Sequence, residues 1–157
     1  MINNITDKSI LLICDNFYNY DQEIRSTLLD LGAKSVYLKR AKFFSGSFRD
    51  KFNWKAYPAY IKNIIKNERT KWTREFVNEI KDMHFDVMLC IENMSFKKWF
   101  IDYLHSKNPN IKTFLFLWDT FKTQQPRYFD YLPKFDYVFS FDKDDAKKYN
   151  LIYQPDF

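Results

Sequence analysis

Short apolar runs of strand length alternate with stretches of helical periodicity along this 157-residue chain. Five such runs are evident: Ser9–Cys14, Ser35–Lys39, Asp86–Ile91, Thr113–Trp118 and Tyr137–Phe141. The sequence LIYQP, from Leu151, is a sixth strand or the start of a linker. This alternation is typical of βαβ units, in which helices join parallel strands. We therefore predict one α/β domain over residues 1–157, a Rossmann-like, doubly wound parallel sheet of five or six strands in a three-layer α/β/α arrangement.

Apolar spacing predicts helices over about 21–31, 59–83, 96–106 and 144–149, and a helix or turn around 125–132. Gly32 is expected to end the first helix as a C-terminal cap, and Pro58 fits near the start of the second. The apolar faces of these two helices are predicted as Ile24, Leu28 and Leu31, and as Ile61, Ile64, Ile65, Trp72, Phe76 and Ile80.

Parallel strands with right-handed crossovers predict the strand order 3-2-1-4-5, with ligands bound outside the carboxyl ends of the strands where the order reverses. The residues that follow or close those ends are polar: Asp15, Asn16, Lys39, Arg40, Glu92, Asn93, Asp119, Thr120 and Asp142. Any binding site should draw on these residues.

Several common kinds of site are not expected. The chain has only two glycines, and neither forms a glycine-rich loop after the first strand, so no nucleotide cofactor is predicted. His84 and His105 lie at ligand spacing to no other His or Cys, so no metal is predicted either. Cys14 and Cys90 lie in apolar runs, where a free thiol acts as a small hydrophobic side chain.

The segment 39–74, called here the basic segment, carries eleven basic and two acidic residues, a net charge of +9 against −4 for the remaining residues. Eight aromatic side chains are interleaved with these cations. The mixture suits a phosphate-bearing, lipid-linked acceptor or an anionic membrane surface, while a solvated surface or a protein interface is the alternative, and nucleic acid is not expected. The candidate contacts are Lys39, Arg40, Lys42, Arg49, Lys51, Trp54 and Lys55.

The amino terminus has no pattern of a signal peptide, since residues 1–8 are polar and the apolar run after them is short. We therefore expect a cytoplasmic protein, peripheral at the inner face of the cell membrane if it meets lipid.

The corner Trp118-Asp119-Thr120 places a carboxylate at the mouth of a central strand. There Asp119 could accept a hydrogen bond or a proton from a sugar hydroxyl, with Glu92 and Asp15 as further catalytic candidates. The alternative is that Asp119 or Thr120 caps a following helix.

At this corner the sequence resembles a known family. FLFLWDTFKT (Phe114–Thr123) and FDYVFSFDKDDAKKYNLIYQP (Phe135–Pro155) resemble the N-terminal half of bacterial GT-B glycosyltransferases of the spore-maturation-protein-like and capsule or lipopolysaccharide biosynthesis type. ILLICDNFYNYDQEIRSTLLDLGAKSVYL (Ile10–Leu38) looks like the first strand, helix and second strand of that family. The corner Glu92-Asn93-Met94 departs from the family, which tends to show a Lys-Gly-Glu-like sequence there.

The resemblance implies an acceptor-binding half whose donor half lies outside this chain, acting in cell-surface polysaccharide or lipopolysaccharide assembly and not active alone. Its partners would be a sugar or lipid-linked acceptor and a donor-domain chain. The alternative is a non-catalytic binding or interaction module, in which self-association or a partner protein covers an exposed apolar surface.

Overall fold

The computed structural model describes residues 4–42, 58–92, 94–121 and 129–155. The strands are β1 (Ser9–Cys14), β2 (Ser35–Arg40), β3 (Val87–Ile91), β4 (Lys112–Leu117), β5 (Tyr137–Ser140) and β6 (Ile152–Tyr153). The helices are α1 (Tyr20–Asp30), α2 (Ala59–Ile80), α3 (Trp99–Lys107) and α4 (Lys143–Tyr149), with a 3-10 turn over Leu132–Lys134. These elements confirm the predicted alternation of strands and helices.

The six strands form one parallel sheet in the order β2-β1-β3-β4-β5-β6. The predicted order 3-2-1-4-5 is therefore wrong, because β3 pairs with β1 and not with β2. In this pairing Ile10 lies opposite Val87, and Ile13 lies opposite Cys90. Four of the five β3 residues are buried, and a strand covered on both faces belongs in the middle of a parallel sheet. The order reverses between β1 and β3, and the ligand site is expected there.

Helices cover the two faces of the sheet unequally. On one face, α2 and α3 pack against the strands through Phe76, Ile80, Phe100, Ile101 and Leu104. On the other face, α1 packs against β1 and its neighbours through Ile24 and Leu28. The fold is thus the predicted three-layer arrangement, with its first core much larger than its second.

The second face continues beyond α1 over β4, β5 and β6. We call its five apolar side chains the open sheet face: Phe114, Phe116, Tyr137, Phe139 and Ile152. The Phe114 ring stacks on that of Tyr137 with 4.9 Å between centroids, and the four aromatic side chains are only partly buried. Within the described ranges, α1 is the one helix whose side chains pack in the second core.

Two predicted core residues are exposed instead. Leu31 is 61% exposed because α1 ends at Asp30 and the chain turns at Gly32, whose φ of 94° confirms the predicted cap. Ile64 is also exposed, and the described α2 side chains that pack in the core lie in the second half of the helix, from Trp72 to Ile80. The predicted side chains Ile61 and Ile65 lie outside what the structure describes.

Candidate functional site

Three carboxyl groups meet at the carboxyl ends of the central strands. Asp15 follows β1, Glu92 follows β3, and Asp119 lies two residues after β4. The negative charges of Asp119 and Asp15 both act on the carboxyl group of Glu92, which shows that the three groups are neighbours. The parallel register explains this grouping, because Asp15 and Glu92 each lie two residues beyond the paired residues Ile13 and Cys90.

Glu92 is the most constrained member of this group. Its backbone is left-handed, with a φ of 57°, and its N–H donates to the carbonyl of Phe116 over 2.8 Å. Its side chain is only 8% exposed, and Oε2 accepts the Trp118 N–H over 3.0 Å. Burial raises the pKa of Glu92 to about 8, against the lowering effect of the Trp118 and Asp119 N–H groups, and the Asp119 and Asp15 charges raise it further. Glu92 is therefore mostly protonated at neutral pH.

Asp119 differs from Glu92 in its environment, since its side chain is exposed and faces solvent beyond the end of β4. A neutral buried carboxyl group thus lies beside a carboxylate that a ligand can reach, and such divergent environments separate acid and base roles. The predicted capping alternative for Asp119 concerns residues after Phe121, which lie outside the described ranges. Asp145, from α4, accepts the Phe121 N–H over 2.6 Å.

The cations at the start of the basic segment have different surroundings. Lys39 forms an ion pair with Glu79 of α2, and its Nζ lies 5.0 Å from the centre of the Phe76 ring. It therefore fastens β2 to α2. Lys42 lies three residues further along the chain, and its side chain is exposed. The backbone N–H of Lys42 donates to Ser95 Oγ over 2.9 Å. The remaining predicted contacts are outside the described residues: Arg49, Lys51, Trp54 and Lys55.

Arg40 is half exposed at the carboxyl end of β2, and its Nε donates to Oδ2 of Asp21 over 2.7 Å. Asp21 is fully buried in the first turn of α1, and its Oδ1 has no hydrogen-bond partner in the part of the chain that the structure describes. This pair, which the sequence did not single out, fixes the start of α1 beside β2. It also keeps one cation at the edge that carries the carboxyl groups.

The other predicted strand-end residues take several roles. Asp142 caps α4, since its Oδ1 accepts the Asp145 N–H over 2.8 Å. Asn16 is exposed after β1, Thr120 is half-buried after Asp119, and Asn93 lies outside the described residues. Asn16, Asn93 and Thr120 each directly follow one of the three carboxyl residues along the chain, whereas Asp142 does not.

Sequence reasoning missed an aromatic cluster at the same edge. The aromatic rim, as we call it, consists of Phe17 and Tyr18 in the β1–α1 turn, Tyr20 at the start of α1 and Trp118 after β4. Tyr18 is 79% exposed, and the rings of Tyr20 and Trp118 lie edge to face with 6.4 Å between centroids. The signal was available in the sequence, because Phe-Tyr-Asn-Tyr is an unusually aromatic turn.

Other chemistry has little support in the described ranges. No three His, Cys, Asp or Glu side chains there are grouped as metal ligands, and no helix there is long and apolar enough to cross a membrane. Burial raises the pKa of Cys14 to about 12, as expected for a structural thiol.

Searches against protein-family models, curated proteins and solved structures find no match to this chain.

Proposed function

We propose that this chain is the acceptor-binding half of a GT-B type glycosyltransferase that acts in bacterial cell-surface polysaccharide or lipopolysaccharide assembly. The observation that carries the proposal is the grouping of a buried Glu92, whose pKa burial raises to about 8, with an exposed Asp119 at the carboxyl edge of the sheet, next to the point where the strand order reverses. The sequence resemblance around Trp118 and Asp119 supports the same function. The acceptor is a sugar or a lipid-linked sugar, and a donor half completes the enzyme.

In this mechanism Asp119 is the catalytic base. Its carboxylate takes the proton of an acceptor hydroxyl as the hydroxyl oxygen attacks the anomeric carbon of the donor sugar. The bond from that carbon to the leaving diphosphate breaks, and its electron pair departs with the diphosphate, which the donor half binds. The proton ends on Asp119.

Glu92 serves as a positioning residue. Its carboxyl group accepts the backbone N–H groups of Trp118 and Asp119 and so fixes the corner that presents Asp119. Because Glu92 is neutral, it holds the corner without adding a second full negative charge beside the base. Asp15, also buried, follows the neighbouring strand β1, and its charge favours the neutral form of Glu92.

Arg40 and Lys42 supply the positive charge for a lipid-linked acceptor. Arg40 ends β2 and Lys42 lies two residues beyond it, at the edge that carries the carboxyl groups, and both side chains reach solvent. A phosphate next to the acceptor sugar would interact with these cations, while the sugar hydroxyls reach Asp119. This arrangement favours a cytoplasmic protein that works at the inner face of the cell membrane.

The test is a calorimetric titration with water-soluble, short-chain prenyl diphosphates that carry glucose, galactose or N-acetylglucosamine. We expect at least one to bind, and Asp119→Ala to weaken it about tenfold or more, since a charge-assisted hydrogen bond is lost. Asp82→Ala, which removes an exposed carboxylate before β3, is the matched control and should bind like the wild type. Equal affinities for the Asp119 variant and the wild type, or no binding by the whole panel, would contradict the proposal.

A second candidate function, a non-catalytic interaction module, is favoured by the open sheet face. This face includes Ile152 of β6, which is the edge strand of the sheet among the described residues, and both Ile152 and Tyr153 are exposed. An apolar sheet face that extends onto such an edge strand is a surface that a second copy of the chain can cover symmetrically. In this alternative the chain acts as a homodimer.

A further inference from the structure

The aromatic rim forms a continuous row of rings at the carboxyl edge of the sheet. Phe17 and Tyr18 meet edge to face with 4.5 Å between centroids, Phe17 lies 6.5 Å from Tyr20, and Tyr20 reaches Trp118. Phe17, Tyr18 and Tyr20 are all exposed, although rings of this size are normally buried. The row therefore presents several aromatic surfaces to solvent at one place.

The backbone holds this row in an uncommon conformation. The backbones of Tyr18 and Asn19 are both left-handed, with φ values of 46° and 65°. Residues other than glycine are uncommon in this region, and a bulky residue such as Tyr18 more so than an asparagine. The turn is closed by the Tyr20 N–H, which donates to the carbonyl of Phe17 over 3.0 Å. Strained turns of this kind concentrate at sites that contact ligands.

The rim is continuous with the carboxyl groups. The Trp118 N–H donates to Glu92, Asp119 follows Trp118 directly, and Asp15 lies two residues before Phe17. A ligand bound on the aromatic rim would therefore contact aromatic rings with one of its faces and carboxyl oxygens with one of its edges. The negative charge disfavours nucleic acid, whose phosphates it would repel.

A pyranose ring has this combination of chemistry. Its axial C–H groups form an apolar face that suits the electron-rich face of an aromatic ring, and its hydroxyls donate to carboxylates. We propose that the aromatic rim stacks on a hexopyranose, whose hydroxyls then reach Asp119. The assignment of this sugar as the acceptor rests on the proposed function, whereas sugar binding by the rim does not.

The experiment is saturation-transfer NMR with methyl β-D-glucopyranoside and methyl β-D-galactopyranoside. Cyclohexanol, a ring without a polyol edge, and glycerol, a polyol without a ring, are the ligand controls. We expect transfer from protein aromatic protons to the ring C–H protons of at least one glycoside, and little to either control. Absence of transfer to both glycosides overturns the inference.

Tyr18→Ala is the decisive variant, because Tyr18 is 79% exposed and its removal leaves the core intact. Loss of this ring should weaken glycoside binding about three- to tenfold. Tyr60→Ala, which removes a 65% exposed tyrosine from α2, is the matched control and should leave binding unchanged. Equal weakening in both variants, or in neither, overturns the inference.

The proposed acceptor mechanism and the proposed sugar binding by the aromatic rim can be contradicted independently of each other. If Tyr18→Ala weakens glycoside binding while Asp119→Ala leaves prenyl-diphosphate sugar binding unchanged, the rim binds sugar and the acceptor mechanism is wrong. If Asp119→Ala weakens acceptor binding and Tyr18→Ala does not weaken glycoside binding, the mechanism stands and the rim is not a sugar platform.

Discussion

The pKa of Glu92 is raised to about 8 because of where the chain places its carboxyl group. A glutamate at the end of a strand would ordinarily turn its carboxylate to water. Here the left-handed backbone and the bond from Trp118 hold the side chain inward. The carboxyl group then loses solvation, and two neighbouring aspartates oppose its ionisation.

The raised pKa makes stability depend on pH. The folded-state pKa of about 8 lies above the ordinary value of 4.5, so between those values the folded protein holds a proton that the unfolded chain has lost. The free energy of unfolding should therefore fall as pH rises through this window, by about 2–4 kcal/mol. Urea unfolding at pH 5, 6.5 and 8 measures it.

Glu92→Gln should remove most of that pH dependence, because the amide keeps an acceptor for Trp118 and never ionises. Glu75→Gln, on the exposed surface of α2, is the control and should keep the wild-type slope. A Glu92→Gln variant with the wild-type slope would show that Glu92 is already ionised at neutral pH.

At the level of single residues, the sequence predicted which carboxyl groups lie at the carboxyl edge of the sheet. It did not predict their protonation or their hydrogen bonds. Asp15, Glu92 and Asp119 follow from strand ends alone. The raised pKa of Glu92 depends on burial and on the charges of Asp119 and Asp15, which lie beyond the ends of other strands, and no local pattern records either cause. The Arg40–Asp21 pair was missed for the same reason, since α1 and β2 supply one partner each.

Among the elements, local signals predicted bounds well and packing less well. Gly32 ends α1 where expected, and most strand bounds differ from the prediction by about one residue. Leu31 and Ile64 have the right spacing for an apolar face and are nevertheless exposed. Periodicity identifies the face of a helix, but the length of sheet that the helix covers decides which part of the face is buried.

The open sheet face leads to a prediction about dimerisation. If a second copy covers this face, the wild type should show concentration-dependent dimerisation in sedimentation velocity experiments. Ile152→Lys, which places a charge on the exposed edge strand, should weaken the dimer about tenfold or more. Leu31→Lys, a charge on an exposed leucine after α1, should not. A wild type that stays monomeric at all concentrations would contradict the interaction-module candidate.

Across the whole molecule, the fold class could be predicted and the strand order could not. The alternation of runs and helices requires a parallel sheet, but it leaves open whether β3 joins β2 or β1. In the folded chain β3 pairs with β1, which puts the reversal between β1 and β3. That choice brings Asp15 beside Glu92 and so creates the site.

We propose that the whole molecule is on the acceptor side of a transfer reaction. Its carboxyl edge presents carboxyl groups, where a nucleotide site would need the backbone amides of a glycine-rich loop. The cations at that edge, Arg40 at the end of β2 and Lys42 two residues beyond it, would contact the phosphates of a lipid-linked acceptor.

The most direct measurement compares the two substrate classes on this chain. Calorimetric titrations with UDP-glucose and UDP-N-acetylglucosamine are set beside those with prenyl-diphosphate-linked sugars. We predict saturable binding of a prenyl-diphosphate-linked sugar and no binding of either nucleotide sugar at millimolar concentration. Binding of a nucleotide sugar as tight as, or tighter than, that of the acceptor would contradict the assignment to the acceptor half.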